Sequence, residues 1–258
     1  MKAFQPSRAF AAAVFALATL AGTATARAED VLVAVAANFA EAAQDLAAVY
    51  EKSSGNKVAI TTGSTGKLYA QIKAGAPFHI LLSADAKTPA KLEDEQAAIA
   101  GTRFTYAIGK LALWSTDAQR IGTDGAAALQ ADSFQHLAIA NPDLAPYGVA
   151  ARETLQSLGL WDKLSPRIVM GENIGQTHSM VATGNAELGF VALSAVLNPK
   201  KPAEGSHWVV PQDKFKPIRQ DAVLLNAGED NQAAAGFLDF LKSPDAHALI
   251  EGYGYGVE

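Results

Sequence analysis

Short apolar runs alternate with stretches of helical periodicity along most of the chain. Val31 to Val35 reads as a strand, and a helix follows from about Phe39 to Lys52, with Phe39, Ala42, Ala43, Leu46, Val49 and Tyr50 recurring at spacings of three and four. Ser53-Ser54-Gly55 ends that helix. Val58 to Thr61 is a second strand, running through Gly63-Ser64-Thr65-Gly66 into a short helix that carries Leu68, Tyr69 and Ile72 and stops at Gly75-Ala76-Pro77. Ile80 to Leu82 is a buried strand, and Ser83-Ala84-Asp85 leads into another helix.

From Phe104 the pattern changes. Phe104 to Ile108 and Leu111 to Trp114 form one long extended stretch interrupted at Gly109-Lys110, and Ile218 to Leu225 forms another. Between them the strand, polar turn and helix unit repeats. Leu137 to Ala140 leads through Asn141-Pro142 and Pro146-Tyr147-Gly148 to a helix over Val149 to Leu158. Ile168 to Met170 leads through Glu172-Asn173-Ile174-Gly175 to a helix over Gln176 to Thr183, and Gly189 to Leu193 is a further strand. Ala233 to Leu241 is an amphipathic helix that packs back on the first part. The alternation predicts an α/β protein with largely parallel sheets flanked by helices. The two long strands predict two crossovers, with lobe one at 29–109 and 218–258 and lobe two at 110–217.

The first 28 residues break this rhythm. Lys2 and Arg8, an apolar core from Ala9 to Ala21 and small residues after it have the form of a cleavable secretory signal; Ala26-Arg27-Ala28 fits the cleavage site and Ala24-Thr25-Ala26 competes with it. The apolar core is shorter than the ~20 residues of a spanning helix. Removing residues 1–28 takes away Lys2, Arg8 and Arg27 and no acid, so the net charge moves from -5 to -8. Such a chain repels nucleic acid and anionic lipid. It has no cysteine, which excludes disulfides, thiolate metal sites and a cysteine nucleophile, and an export signal without cysteine points to a bacterial periplasm or cell-wall space.

Four strand-to-helix turns share one chemistry. Ala37-Asn38-Phe39, Gly63-Ser64-Thr65-Gly66, Pro146-Tyr147-Gly148 and Asn173-Ile174-Gly175 are small, polar or glycine-bearing, and each stands where a helix start leaves backbone N–H groups unpaired. In open α/β sheets such turns gather at the carboxyl ends of the strands, where ligands bind. Four helix starts of roughly +0.5 charge each would balance a dianion without any cation. Lys67 is the one cation near these turns. Each turn also has a plain structural reading. Asn38, Ser64 and Thr65 are common helix caps, Tyr147 is a packed loop aromatic, and Ile174 offers a backbone N–H or a staple onto the core. The chemistry lies in the set of four.

Enzymatic signatures are absent. The chain has no G-x-S-x-G elbow, no G-x-x-x-x-G-K-[ST] loop and no H-E-x-x-H helix, and its five histidines lack ligand spacing. His178 lies near the fourth turn, and Asp85 reads as a catalytic acid or, more simply, as the cap of the next helix.

As an ordered set, Ala36-Ala37-Asn38, Gly63-Ser64-Thr65-Gly66, Ala74-Gly75-Ala76-Pro77, Leu82-Ser83-Ala84-Asp85, Asn141-Pro142, Pro146-Tyr147-Gly148, Leu158-Gly159-Leu160-Trp161-Asp162-Lys163-Leu164 and Glu187-Leu188-Gly189-Phe190-Val191 carry a family resemblance. Over Glu29 to Glu258 the chain resembles the periplasmic molybdate- and tungstate-binding proteins of ABC transporters. The resemblance implies a two-lobed type II periplasmic-binding fold with the ligand cleft between the lobes. It also implies a monomeric, non-enzymatic protein without cofactor that delivers molybdate or tungstate to a membrane ABC permease. The resemblance maps the family's oxyanion contacts onto the polar residue Asn38, the Thr65 hydroxyl and the backbone amides of Tyr147 and Ile174, with Ser64 as the neighbour of Thr65. Many members have serine where Asn38 stands, and some offer a tyrosine hydroxyl near Ala192, which has no side-chain donor; the Asn38 amide would offset that loss. Sulfate or another tetrahedral oxyanion is the alternative ligand, and a hydrolase or transferase on the same scaffold is the alternative class.

Overall fold

The computed structural model describes Met1 and residues 29–131 and 133–258. The expected export signal at 1–28 therefore lies outside the described residues, apart from Met1. Among the described residues no helix is long and apolar enough to cross a membrane.

The first sheet is built from strands β1 (Asp30–Ala36), β2 (Lys57–Gly63), β3 (Ile80–Leu82) and β4 (Phe104–Gly109), joined by helices α1 (Ala40–Ser54), α2 (Thr65–Lys73) and α3 (Lys87–Asp94). One residue, Lys110, separates β4 from β5 (Leu111–Ser115), which already belongs to the second sheet. There α4 (Gly125–Gln130), β6 (Leu137–Ala140), α5 (Pro146–Ser157), α6 (Trp161–Leu164), β7 (Ile168–Gly171), α7 (Ile174–Ala182), β8 (Leu188–Ala192), α8 (Leu193–Val196) and β9 (Ser206–Val209) follow in order. The chain then returns through β10 (Ile218–Leu224) to the first sheet and ends in α9 (Gln232–Leu241) and α10 (Pro244–Gly252).

The sheet orders are β2-β1-β3-β10-β4 and β7-β6-β8-β5-β9. β1, β2 and β3 pair in parallel, as do β6, β7 and β8, which is the arrangement the alternating pattern predicts. The sheets as wholes are mixed. β10 is antiparallel to β3 and β4, and β5 is antiparallel to β8 and β9, so in each sheet one strand runs against four. The reversed strand is in both cases a crossover strand, which enters its sheet from the opposite side.

Local sequence explains most boundaries. α1 buries Ala42, Ala43, Leu46, Ala47 and Tyr50 and ends at Gly55, whose φ of 78° is the left-handed cap conformation that glycine adopts without strain. Val49, which the periodicity places on that face, is exposed, because it lies just past the edge of the buried arc. α5 begins at Pro146 rather than Val149, since proline is pre-set for the first helical position. The cap at Asn173, whose Oδ1 accepts from the Gln176 N–H at 2.9 Å, starts α7 at Ile174 rather than Gln176.

Each sheet carries its own core. Phe39, Leu46, Tyr106, Phe237 and Ile250 pack on the first sheet, where Phe39 meets Tyr106 edge-to-face with centroids 4.7 Å apart. Leu113, Leu137, Ile139, Leu155 and Phe190 pack on the second. Fully burying side chains of this size stabilises by about 1.5–3 kcal/mol each. The second core also takes in Ala36, Ala84 and Ile218 from the first-sheet side, so the lobes meet through apolar as well as polar contact. Gly148 seats the start of α5 against the end of β6, where a Cβ would fall 2.2 Å from the Ala140 carbonyl oxygen.

Candidate functional site

The four turns come together. Ala36, Ala37, Asn38, Gly63, Ser64, Thr65, Ala84, Ala145, Pro146, Tyr147, Asn173 and Ile174 line one small pocket between the sheets, and all five residues singled out in the sequence are among them. β1, β2, β6 and β7 point their carboxyl ends at it, and α2, α5 and α7 begin at its wall. Among the described residues, no side chain lining it carries a formal charge at neutral pH.

Each turn presents its donors differently. Ser64 caps α2, its Oγ accepting from the Lys67 N–H at 3.4 Å. Thr65 Oγ1 accepts from the Ala84 N–H at 3.2 Å. In both hydroxyls the hydrogen itself remains available for donation. Pro146 has no N–H, so the Tyr147 N–H is the first that α5 offers, with no carbonyl one turn before it to accept. The Ile174 N–H has the same position at the start of α7, while the Ile174 side chain is buried in the second core.

The Asn38 side chain does something other than the sequence suggested, while the Tyr147 side chain is the packed aromatic of its plain reading. The Asn38 amide spends its hydrogens beneath the pocket: Nδ2 donates to Gln220 Oε1 at 2.7 Å and to Tyr255 Oη at 3.1 Å. The Asn38 backbone lies in a single 3-10 turn over Ala37–Phe39 at the pocket's wall. The Tyr147 phenol also points away, against the β4–β5 junction. A Cβ on Gly109 would lie 2.2 Å from its oxygen, which is why glycine stands there. Burial pushes this phenol well above its ordinary pKa, although the Gln220 and Asn38 amides facing it pull the other way.

The lobes are tied across the pocket's rim. The Gly66 N–H donates to the Leu144 carbonyl at 3.0 Å, and Lys67 Nζ lies 2.5 Å from Glu172 Oε2. Larger clefts of about 530 and 400 Å³ open on either flank. His178 lines the first of these, stacked on Trp114 with centroids 4.6 Å apart and planes at 8°, and burial lowers its pKa. Ala192 lines the same cleft. Asp85 accepts from the Thr88 N–H at 2.7 Å and from Thr88 Oγ1 at 3.2 Å, the work of a cap at the start of α3. Among the described residues no group of three or more His, Cys, Asp or Glu could hold a metal ion.

Comparison with known proteins agrees with this architecture. The family model described as bacterial extracellular solute-binding protein matches residues 31–256. The chain belongs to that family. This solute-binding protein is 51% identical over 233 residues to the molybdate-binding protein ModA of Azotobacter vinelandii, covering 90% of this chain and 92% of that one. It is 48% identical over 244 residues to the molybdate-binding protein ModA of Rhodobacter capsulatus, covering 94% and 95%. Among solved structures, the periplasmic molybdate-binding protein of Azotobacter vinelandii superposes with a TM-score of 0.86 at 41% identity, covering 88% of this chain and 99% of that one. The two-lobed type II α/β fold expected of this solute-binding protein is the fold it has.

Sequence reasoning missed the residues beneath the pocket: Tyr106, Gly109, Gln220 and Tyr255, with Ser194, whose Oγ donates to the Asn38 carbonyl at 3.2 Å and lies 2.9 Å from Tyr255 Oη. One signal was present, the polar run Arg219-Gln220-Asp221 in the strand Ile218–Leu224, of which Gln220 and Asp221 are buried.

Proposed function

We propose that this chain captures molybdate, or the equivalent dianion tungstate, between its two lobes and delivers it to a membrane ABC permease. The lobes comprise 29–109 with 218–258, and 110–217, a division that follows the membership of the two sheets. The observation that carries the reading is the convergence of four turns, two from each lobe, on one pocket without charged side chains. Helix starts of roughly +0.5 charge each sum to about +2, which matches a dianion. Hydrogen bonds to a charged group contribute about 1.5–3 kcal/mol each, so a set from Asn38, Ser64, Thr65, Tyr147 and Ile174 supports tight capture after the cost of association.

The donor-lined pocket and relatives named for binding support a protein that binds its ligand rather than turning it over. It acts as a monomer without cofactor, in the periplasm after removal of residues 1–28. Molybdate-binding relatives near half identity support the choice of anion. Calorimetric titration of the chain from Glu29 tests it. A Kd below about 1 µM for molybdate is expected, and absence of binding at micromolar concentrations, or sulfate displacing molybdate at equal concentration, overturns it.

A further inference from the structure

Directly beneath the pocket, one side chain touches a turn from each lobe. Gln220 is fully buried on β10, at the β-bulge where the pairing with β4 shifts register. Its Oε1 accepts from Asn38 Nδ2 at 2.7 Å, and its Nε2 donates to Tyr147 Oη at 3.5 Å. Asn38 belongs to the first turn and Tyr147 to the third. The Gln220 amide thus spans the two lobes at the level of the anion pocket.

Its two partners have little slack. Asn38 is held a second time by Tyr255, which accepts from Nδ2 at 3.1 Å and donates to the Asn38 carbonyl at 2.6 Å. Tyr147 is wedged at the β4–β5 junction, where a Cβ on Gly109 would meet its oxygen at 2.2 Å and Gln220 Nε2 at 2.8 Å. Tyr106 completes the set, its Oη donating to the Ser83 carbonyl at 3.0 Å and reaching Gln220 Oε1 at 3.3 Å. Buried polar groups are costly to leave unpaired, so the separation of the turns at which these bonds are all made is the one the protein keeps. A pocket whose walls moved freely would shrink around a smaller anion and bind it as well as a larger one. A pocket with fixed walls would not.

We infer that Gln220 is a positioning residue that sets the spacing between the Asn38 and Tyr147 turns, and through it the size of tetrahedral oxyanion the cleft accepts. The inference rests on the oxyanion reading above and adds a specificity determinant to it. Gln220 acts through the two turns without touching the ligand.

The test compares molybdate with the smaller sulfate in the wild-type chain, Gln220→Met, Tyr147→Phe and the double variant, by calorimetry, with thermal melting of each anion-free protein as the folding control. Gln220→Met keeps the volume and removes both bonds; it is expected to lower the molybdate-to-sulfate affinity ratio by about tenfold or more. Tyr147→Phe, which removes only the far partner and is the milder change should Gln220→Met not fold, lowers the ratio in the same direction by less. The double variant falls no further than Gln220→Met, because the two act as one unit. A ratio unchanged in both single variants, or an equal loss for both anions, overturns the inference while leaving the functional reading intact. Failure of the wild-type chain to bind either anion overturns that reading and the inference with it.

Discussion

The backbone N–H of Gly66 donates to the carbonyl of Leu144 at 3.0 Å, joining the first turn of α2 on one sheet to the loop before α5 on the other. A Cβ on Gly66 would stand 3.2 Å from that oxygen and 3.3 Å from the Leu144 Cα, so the two lobes meet here backbone to backbone. Gly66→Ala separates two quantities that usually move together. Alanine raises helix propensity by up to about 1 kcal/mol, so the melting temperature of the anion-free protein holds or rises. Anion affinity falls by about tenfold because the rim closes less fully. Melting and titration of the same sample check both signs.

Thr65→Ala and Ser64→Ala should part in a similar way. The Thr65 hydroxyl holds the Ala84 N–H and faces the pocket, so its removal costs about 1.5–3 kcal/mol of anion binding, a roughly tenfold to hundredfold weaker Kd. Ser64 additionally caps α2, and its loss costs about 0.5–2 kcal/mol of stability besides any loss of affinity. Urea denaturation without anion, paired with titration, distinguishes the two.

How much of this was legible in the sequence depends on the length scale of the signal. The parallel β-α units, the two crossovers and the four turns each leave a mark within a dozen or so residues: an apolar run, a glycine, a cap. β9 and α10 leave weaker marks. Ser206–Val209 is half-buried at a sheet edge, and Pro244, which follows α9 closely as a helix stop would, instead opens a helix capped by Ser243. The cluster beneath the pocket leaves almost none. Asn38, Tyr106, Tyr147, Gln220 and Tyr255 are far apart in the chain, and only the fold brings them within hydrogen-bonding reach. A reading of the sequence gives the Asn38 amide to the anion for that reason: its competing partners are not visible there.

Anion affinity should be flat with pH. Among the described residues lining the pocket, Tyr147 is the only titratable side chain, and burial holds its phenol neutral far above the ordinary tyrosine range. Kd measured between about pH 6 and 9 is expected to stay within a factor of about three. A steep step in that window would place an ionising group on the ligand.

Stability, by contrast, should fall on the acid side. His79 Nδ1 accepts from the Leu32 N–H at 3.1 Å and lies 3.2 Å from Asn231 Nδ2, and burial lowers its pKa against the opposing pull of Glu29. The folded state therefore binds this proton less readily than the unfolded chain. Its contribution is fully present above the unfolded value of about 6.5 and is lost as pH falls through the lower folded value. Denaturation midpoints at about pH 7.5 and about pH 5 should differ by less in His79→Gln than in the wild type.

Gly148→Ala should be more damaging than the substitutions at Gly66, Thr65 and Ser64. Its added methyl meets the Ala140 backbone oxygen at 2.2 Å, with no flexible side chain to yield, so a loss of about 3 kcal/mol or more is expected from denaturant melts. At Gly109 the obstacle is a side-chain hydroxyl, so Tyr147→Phe in the same chain should restore part of what Gly109→Ala loses.

The reversed strand in each sheet also orders events in time. All five strands of the second sheet come from one unbroken stretch of chain, 111–209, whereas β4 has β10 as its one strand neighbour in the first sheet. A chain synthesised from its N-terminus can therefore complete the second lobe while the first still lacks an interior strand. The first sheet is completed only by a strand that begins at Ile218, roughly forty residues from the end, so a chain cut before it lacks the interior strand that carries Gln220.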